Sequence, residues 1–207
     1  MAGAKKAGRF ITLEGVDGAG KSTHVGWIAK RLRANGREVV VTREPGGTPL
    51  AEKLRALVLT EPMDPLAETL LMFAARADHV RKVIAPALAR GAWVVCDRFT
   101  DATLAYQGAG KGVSAERIQQ LAQAVHPGLS PDQTLVFDCT YEVSRSRLSN
   151  SGRELDRFEG EGRAFFDRVR AAYRQLAEAE PARVRLLDGS KDPEKVKVEI
   201  EKLLLSS

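Results

Sequence analysis

The sequence predicts an α/β fold in which a parallel sheet is flanked by helices on both faces. Short apolar runs rich in β-branched residues recur along the chain, as expected of strands that are buried on both faces. Segments with the periodicity of amphipathic helices separate these runs. A glycine-rich segment lies between the first run and the first helical pattern, which is where phosphate-binding loops occur.

Five strands and several helices are predicted in order along the chain. The predicted strands are residues 10–13, 39–42, 93–96, 134–137 and 184–187. An apolar i, i+3, i+4, i+7 pattern over residues 25–32 predicts the first helix, and Asn35 with Gly36 ends it. Further helices are predicted over residues 65–90, 115–125, 162–180 and 193–205. Because strands and helices alternate, we expect a doubly wound sheet.

The chain has the length of one compact domain, with 207 residues. We expect residues 1–8 to form a flexible N-terminal extension and residues 9–207 to form a single domain. Residues 148–157 are polar and contain Gly152, so we predict a mobile lid there. An ordinary surface connection is the alternative.

Composition indicates a globular protein, since 43% of the residues are hydrophobic and 29% are charged. The net charge is +5, but the basic residues are scattered among acids along the predicted helices, so no nucleic-acid partner is expected. Neither a secretory signal nor an apolar run long enough to cross a bilayer is found in the sequence. We therefore expect a cytoplasmic protein that makes no membrane contact, with Cys96 and Cys139 reduced.

The glycine-rich segment satisfies the phosphate-loop pattern G-x-x-x-x-G-K-[ST]. Its residues are Gly15, Val16, Asp17, Gly18, Ala19, Gly20, Lys21 and Ser22. Glycines let the backbone turn its N–H groups toward phosphate oxygens, Lys21 can reach the terminal phosphates, and Ser22 can ligate Mg²⁺. The segment predicts an ATP site. An Asn-Lys-x-Asp guanine signature is absent from the sequence, which disfavours a switch GTPase.

A second candidate site follows the third predicted strand. Asp97 and Arg98 lie at its carboxyl end, where open α/β sheets bind ligands. Asp97 could hold Mg²⁺ through water and Arg98 could clamp phosphates, although a structural ion pair is the alternative. Phe73 and Arg76 lie three residues apart on a predicted helix and so share a face. An aromatic ring beside a guanidinium suits a nucleobase, whereas a core phenylalanine beside a surface arginine is the alternative.

Together these segments resemble the bacterial thymidylate kinase family over residues 9–205. The motifs that carry the resemblance are EGVDGAGKST at 14–23, REPGGT at 43–48, FAARADH at 73–79, DRF at 97–99, AYQG at 105–108 and DRFE at 156–159. The resemblance implies a P-loop nucleoside monophosphate kinase fold with a five-stranded parallel sheet and a lid. It also implies a homodimer that transfers the γ-phosphoryl group of ATP to dTMP with Mg²⁺.

The resemblance further implies roles for single residues. Asp17 would accept a hydrogen bond from the 3′-hydroxyl of dTMP, Phe73 would stack on thymine, and Arg76 would donate to its O4. The other residues implied to bind dTMP are Arg43, Pro45, Arg98, Thr103, Tyr106 and Gln107. Thr23 and Lys191 would join the phosphate loop in binding ATP.

One feature departs from the family pattern, and another distinguishes two subgroups of the family. Phe99 and Ala102 stand where the family commonly has a Tyr or His and a Ser, so a hydroxyl contact to the acceptor is in question. Position 18 is Gly rather than Arg, which indicates the subgroup whose catalytic arginine comes from the lid. Arg153 is the first candidate and Arg147 the second.

Two other functions remain open at this stage. One is a P-loop kinase that acts on another nucleoside monophosphate or on a deoxynucleoside. The other is a nucleotide-gated binding protein without phosphoryl transfer, because a phosphate site alone does not make an enzyme.

Overall fold

A computed structural model describes residues 8–150, 152, 154 and 156–205, and its centre is a five-stranded parallel sheet. The strands are β1 (Phe10–Gly15), β2 (Val39–Arg43), β3 (Trp93–Asp97), β4 (Gln133–Asp138) and β5 (Val184–Asp188). Their spatial order is β2-β3-β1-β4-β5, and every adjacent pair is parallel. Each strand contains one of the five predicted runs, so the predicted α/β class is confirmed.

Helices connect successive strands. They are α1 (Lys21–Ala34), α2 (Pro49–Thr60), α3 (Pro65–His79), α4 (Ala85–Ala89), α5 (Thr100–Thr103), α6 (Ala115–Val125), α7 (Tyr141–Ser149), α8 (Arg163–Ala179) and α9 (Pro193–Leu205). Side chains alternate between the two faces of the sheet. Ile11 packs with Ile28 of α1, whereas Phe10 packs with Ile84 in a separate cluster. Helices therefore cover both faces, as predicted.

The predicted helix over residues 65–90 is divided by one wide turn. Between α3 and α4, Val80–Ile84 is π-helical, and the backbone stays helical at both junctions. Pro86 follows immediately and has no N–H to donate to the carbonyl four residues earlier. A missing donor at this position is one of the known causes of local unwinding, and π-turns are common near functional sites.

Helices α2, α5 and α7 are not among the predicted helices, although the start signals of α2 and α7 are in the sequence. The Oγ1 atom of Thr48 accepts a hydrogen bond from the Ala51 N–H at 3.1 Å, and Pro49 occupies the first turn of α2. Thr140 caps α7 in the same way. Because α7 extends to Ser149, it includes the first two residues of the segment predicted as a lid.

The carboxyl ends of β1 and β3 bring the two candidate sites together. Leu13 pairs with Asp97 in the sheet register, and the phosphate loop follows β1 directly. The chain leaves β3 as Asp97-Arg98 beside that loop. Among the described residues, no helix has the length and apolarity needed to cross a membrane.

Candidate active site

The phosphate loop encloses the ammonium group of Lys21. Gly15, Gly18 and Gly20 have φ angles of 125°, 74° and 101°, which favour glycine. A Cβ atom at Gly15 would lie 2.2 Å from the carbonyl oxygen of Phe137, so a side chain there would clash with β4. The Lys21 Nζ atom donates to the carbonyl oxygens of Gly15 and Val16, each at 2.9 Å. The loop thus holds a buried cation at the end of β1.

Arg98 connects the phosphate loop to the second site. Its Nη2 atom donates to Asp17 Oδ1 at 2.5 Å and to the Tyr106 hydroxyl at 3.0 Å. The Tyr106 hydroxyl donates in turn to Asp17 Oδ2 at 2.8 Å. Burial opposes ionisation of Asp17, but the charges of Arg98 and Lys21 outweigh it and hold the Asp17 pKa below its usual range. Asp17 is therefore a carboxylate whose two oxygens are both engaged.

The backbone at Arg98 is held in an unusual conformation. Its φ of 71° lies in the left-handed region, which side chains rarely adopt. The Arg98 N–H donates to the Leu13 carbonyl at 3.0 Å, and the next N–H, that of Phe99, donates to Glu14 Oε1 at 2.7 Å. The Tyr173 hydroxyl donates to the other oxygen of Glu14 at 2.7 Å. Burial raises the Glu14 pKa to about 8.

A cleft opens beside Arg98, lined by apolar side chains together with several charged and polar ones, as small-molecule sites commonly are. Seven of the residues predicted from the sequence line it. They are Asp17, Pro45, Arg76, Arg98, Thr103, Tyr106 and Gln107. Ala102 and Phe99, the two departures from the family pattern, line it as well. Most of the predicted acceptor site is thus assembled in one place.

Arg76 offers an unused donor in this cleft. Its Nε atom donates to Glu44 Oε2 at 2.6 Å, and its Nη2 atom donates to Thr103 Oγ1 at 3.1 Å. Its buried Nη1 atom has no hydrogen-bond partner among the described residues. An unpaired buried N–H costs free energy, so this donor is suited to an acceptor atom on a ligand.

Phe73 does not line the cleft, and Met72 does. The Phe73 ring packs with Val113 and Ile118 in a separate apolar cluster. Successive residues are about 100° apart around an α-helix, so Met72 and Phe73 lie on either side of Arg76 on α3. Both positions lie within about 60° of Arg76, and the Arg76 Cζ atom is 4.6 Å from the centroid of the Phe73 ring. Phe73 and Arg76 thus share a face of α3, as their spacing predicts, and the stacking role of Phe73 stays a prediction.

The structure separates Arg43 from the cleft lining and adds Arg55. The exposed guanidinium of Arg43 pairs with Glu52 at 2.9 Å. Arg55, which the sequence analysis missed, lines the cleft, and its Nη1 atom donates to the Pro45 carbonyl at 3.0 Å. The Glu44-Pro45 peptide bond is cis.

Oxygen ligands for Mg²⁺ lie beside the phosphate loop. The buried Oδ1 atom of Asp97 has no hydrogen-bond partner among the described residues, and Ser22 is exposed at the start of α1. Carboxylate and hydroxyl oxygens are ligands that Mg²⁺ prefers. No cluster of three or more His, Cys, Asp or Glu side chains that could hold a metal occurs in the described part of the chain. The donor set therefore fits an ion bound mainly through water and phosphate oxygens.

The remaining residues predicted to bind ATP or to act on its phosphates are considered around the phosphate loop. Thr23 is exposed on α1. A Cβ atom at Gly189 would lie 2.4 Å from the Ala19 carbonyl, so the turn before Lys191 packs against the loop. The Nη1 atom of Arg147 donates to the Gly18 carbonyl at 3.2 Å. Arg153 lies outside the described residues.

Comparison with known proteins gives a consistent result. The family model "Thymidylate kinase" matches residues 13–200. The thymidylate kinase of Bordetella pertussis strain Tohama I is 59% identical over 194 residues, which cover 94% of this chain and 93% of that protein. The thymidylate kinase of Pseudomonas syringae pv. tomato is 58% identical over 200 residues, which cover 95% of each protein.

A solved structure agrees with these relatives. The crystal structure of thymidylate kinase from Ehrlichia chaffeensis matches with a TM-score of 0.78 and 34% sequence identity. The match covers 96% of this chain and 99% of that one.

Proposed function

The chain belongs to the thymidylate kinase family, and from that premise we propose how its residues transfer the γ-phosphoryl group of ATP to dTMP. The reaction yields dTDP and ADP, a step of dTTP synthesis. One observation carries the residue-level proposal: the Arg98–Asp17 ion pair, at 2.5 Å, connects the phosphate loop to a cleft that most of the predicted acceptor-binding residues line. ATP phosphates in the loop and dTMP in the cleft would then meet at Arg98.

The phosphates are aligned by cations. The nucleophile is an oxygen of the dTMP phosphate, which is already anionic, so no strong general base is needed. Lys21 would neutralise charge on the ATP phosphates, and Arg98 and Arg55 would hold the acceptor phosphate from inside the cleft. Arg43 would contribute from the rim. Asp17 would accept from the 3′-hydroxyl as well as from Arg98.

The base is read at the far side of the cleft. The unpaired Nη1 donor of Arg76 would bind O4 of thymine, which cytosine replaces with an amino group. Met72 lines the cleft and would pack against the ring, and stacking by Phe73 remains the alternative. Thr103 and Gln107 would meet the remaining polar edge, and Tyr106 would exclude a 2′-hydroxyl.

Mg²⁺ would be held by Asp97 and Ser22. When bound, the ion supplies positive charge to phosphate oxygens that the loop only partly covers. Thr23 and Lys191 would complete the ATP site. We further propose a single domain over residues 9–207, a homodimer and a cytoplasmic location. The expected extension at residues 1–8 falls almost wholly outside the described residues.

A coupled ADP-release assay tests the acceptor. The purified chain would be measured with ATP and Mg²⁺ against dTMP, dUMP, UMP, CMP, AMP and thymidine. We expect dTMP to give the highest kcat/KM. Preference for another acceptor would indicate a different P-loop kinase, and absence of turnover with every acceptor would indicate a binding protein.

A further inference from the structure

A fully buried carboxylate on α3 has no part in the mechanism described so far. Glu68 has no exposed surface and receives hydrogen bonds from three other segments. Gln107 Nε2 donates to its Oε1 atom at 2.8 Å, and Lys111 Nζ donates to its Oε2 atom at 2.8 Å. Arg157 Nη2 also donates to Oε2. Two cations therefore compensate the buried charge, and the amide of Gln107 is the only neutral side-chain donor among these contacts.

Glu68 fixes the orientation of the Gln107 amide. A carboxylate accepts hydrogen bonds and does not donate them, so the NH₂ end of the amide must face Glu68. The Oε1 end must then face the other way. Gln107 lines the cleft together with Arg76 and Thr103, and none of the described residues donates a hydrogen bond to Gln107 Oε1. The cleft therefore contains an acceptor at Gln107 and the unpaired donor of Arg76.

A donor beside an acceptor matches one edge of thymine. Thymine presents the O4 acceptor next to the N3–H donor. Cytosine presents the reverse, an amino donor next to an N3 lone pair. We propose that Glu68 is a positioning residue that sets the Gln107 amide to accept from N3–H and so selects thymine and uracil against cytosine. This inference rests on the proposed placement of the base in the cleft.

The variant Glu68→Gln tests the inference. An amide at position 68 can donate as well as accept, so the Gln107 amide is free to turn and present NH₂ to the N3 atom of cytosine. We expect the ratio of kcat/KM for dTMP to that for dCMP to fall at least about tenfold, the size of one hydrogen bond. Inhibition constants of dCMP against dTMP give the same ratio where dCMP turnover is too slow to measure.

Two internal controls separate positioning from structural damage. Uracil has the same O4 and N3–H as thymine, so the dTMP to dUMP ratio should stay within about twofold of the wild-type value. Lys111→Met removes a partner of Glu68 without touching Gln107, so its dTMP to dCMP ratio should match the wild type. An equal fall of the ratio in Lys111→Met would overturn the inference, as would an unchanged ratio in Glu68→Gln.

The inference can still be tested if Glu68→Gln has a folding defect. If Glu68→Gln fails to fold because Lys111 is left without its buried counter-charge, the double variant Glu68→Gln/Lys111→Met removes that charge as well, and the same ratios apply. Failure of the proposed function is distinguishable, because it would appear as loss of dTMP preference in the wild-type protein. Retained wild-type preference with an unchanged ratio in the variants would refute the role of Glu68 alone.

Discussion

Lys21 is the single residue whose loss should damage turnover most. Its ammonium is enclosed by the backbone of the phosphate loop, and Lys21→Ala leaves that backbone cradle without its charge. We expect kcat to fall below about a tenth of wild type, a loss of more than roughly 1.4 kcal/mol in transition-state stabilisation. Lys30→Ala on the exposed side of α1 is the matched control. A kcat above that tenth in Lys21→Ala, with an intact fold by circular dichroism, would contradict the role.

Met72 and Phe73 should separate substrate binding from stability. Met72→Ala removes a cleft contact, so we expect the KM for dTMP to rise about tenfold while the KM for ATP changes little. Phe73→Leu alters a packed cluster that does not line the cleft, so it should lower the free energy of unfolding by about 1 kcal/mol with dTMP binding unchanged. If Phe73→Leu instead raises the dTMP KM more than Met72→Ala does, Phe73 is the residue that stacks on thymine.

Glu14 should make stability depend on pH. Burial raises its pKa in the folded state to about 8 from the ordinary value of 4.5, so the folded protein retains a proton that the unfolded chain releases between these pH values. The contribution of Glu14 to the free energy of unfolding is fully present below about pH 4.5 and falls as the pH rises toward 8. Glu14→Gln cannot titrate, so its free energy of unfolding relative to wild type should increase by several kcal/mol (on the order of 4) across that range.

Urea unfolding of both proteins at pH 5, 6, 7 and 8 measures this difference. Glu116→Gln, at an exposed position on α6, provides a comparison in which the difference should stay nearly constant. A constant difference for Glu14→Gln too would mean that Glu14 is ionised throughout, held by the Phe99 and Tyr173 donors.

Residue types in sequence motifs could be predicted more reliably than the direction of their side chains. The loop residues and Asp97-Arg98 follow strands directly, so the parallel register places them at one edge of the sheet. Arg55 and Glu68 lie on helices, where a rotation of one position decides whether a side chain meets the cleft. Such rotation depends on packing against other elements, which local sequence does not encode.

At the scale of elements, the segment after α7 carries the strongest functional prediction. Gly18 leaves the phosphate loop without an arginine of its own. Arg157 is bound to Glu68 and to the Val58 carbonyl, which leaves it poorly placed to reach ATP. Arg153→Ala should therefore lower kcat at least a hundredfold with little change in the dTMP KM, since an arginine contact formed in the transition state is worth about 10³ to 10⁵.

Steady-state kinetics of Arg153→Ala and Arg147→Ala, side by side, check this expectation. Arg163→Ala is a suitable control, because Arg163 pairs with Glu142 on an exposed surface. Near-normal kcat in both test variants would remove these arginines from the mechanism and leave Arg98 as the main guanidinium at the transferring phosphate.

Strands were predicted better than helices for a physical reason. A strand buried on both faces is a continuous apolar run, and each run marks its own position. Helix α7 buries only Ser144 and Leu148, so its apolar pattern is too sparse to recognise. The π-helical turn before Pro86 depends on backbone hydrogen bonding that apolar spacing does not report.

For the whole molecule, the order of the strands in the sheet could not be predicted from the strand sequences. The runs do not specify their neighbours, because each is apolar on both faces. The cleft likewise depends on segments distant in sequence: Pro45 follows β2, Met72 lies on α3, and Asp156 precedes α8. Their approach is a product of the assembled fold.

Exposed leucines on α2 and α3 should hold two copies of the chain together. Leu50 and Leu57 are seven residues apart on α2, and Leu66 and Leu70 are four apart on α3, so each pair shares one face of its helix. Their exposed fractions are 48%, 47%, 36% and 48%, which is costly for a face that meets only water. Light scattering should therefore give a dimer mass at micromolar concentration.

The double variant Leu57→Glu/Leu70→Glu should shift the protein to monomer, because charged side chains would be buried at the proposed contact. Val198→Glu is the matched control, since Val198 is 55% exposed on α9, away from this face. The same two helices carry Arg55 and Met72 into the cleft, so the monomeric variant should also show a raised dTMP KM. A wild-type monomer would instead mean that these leucines face solvent in the working enzyme and that α2 and α3 shape the cleft without a partner.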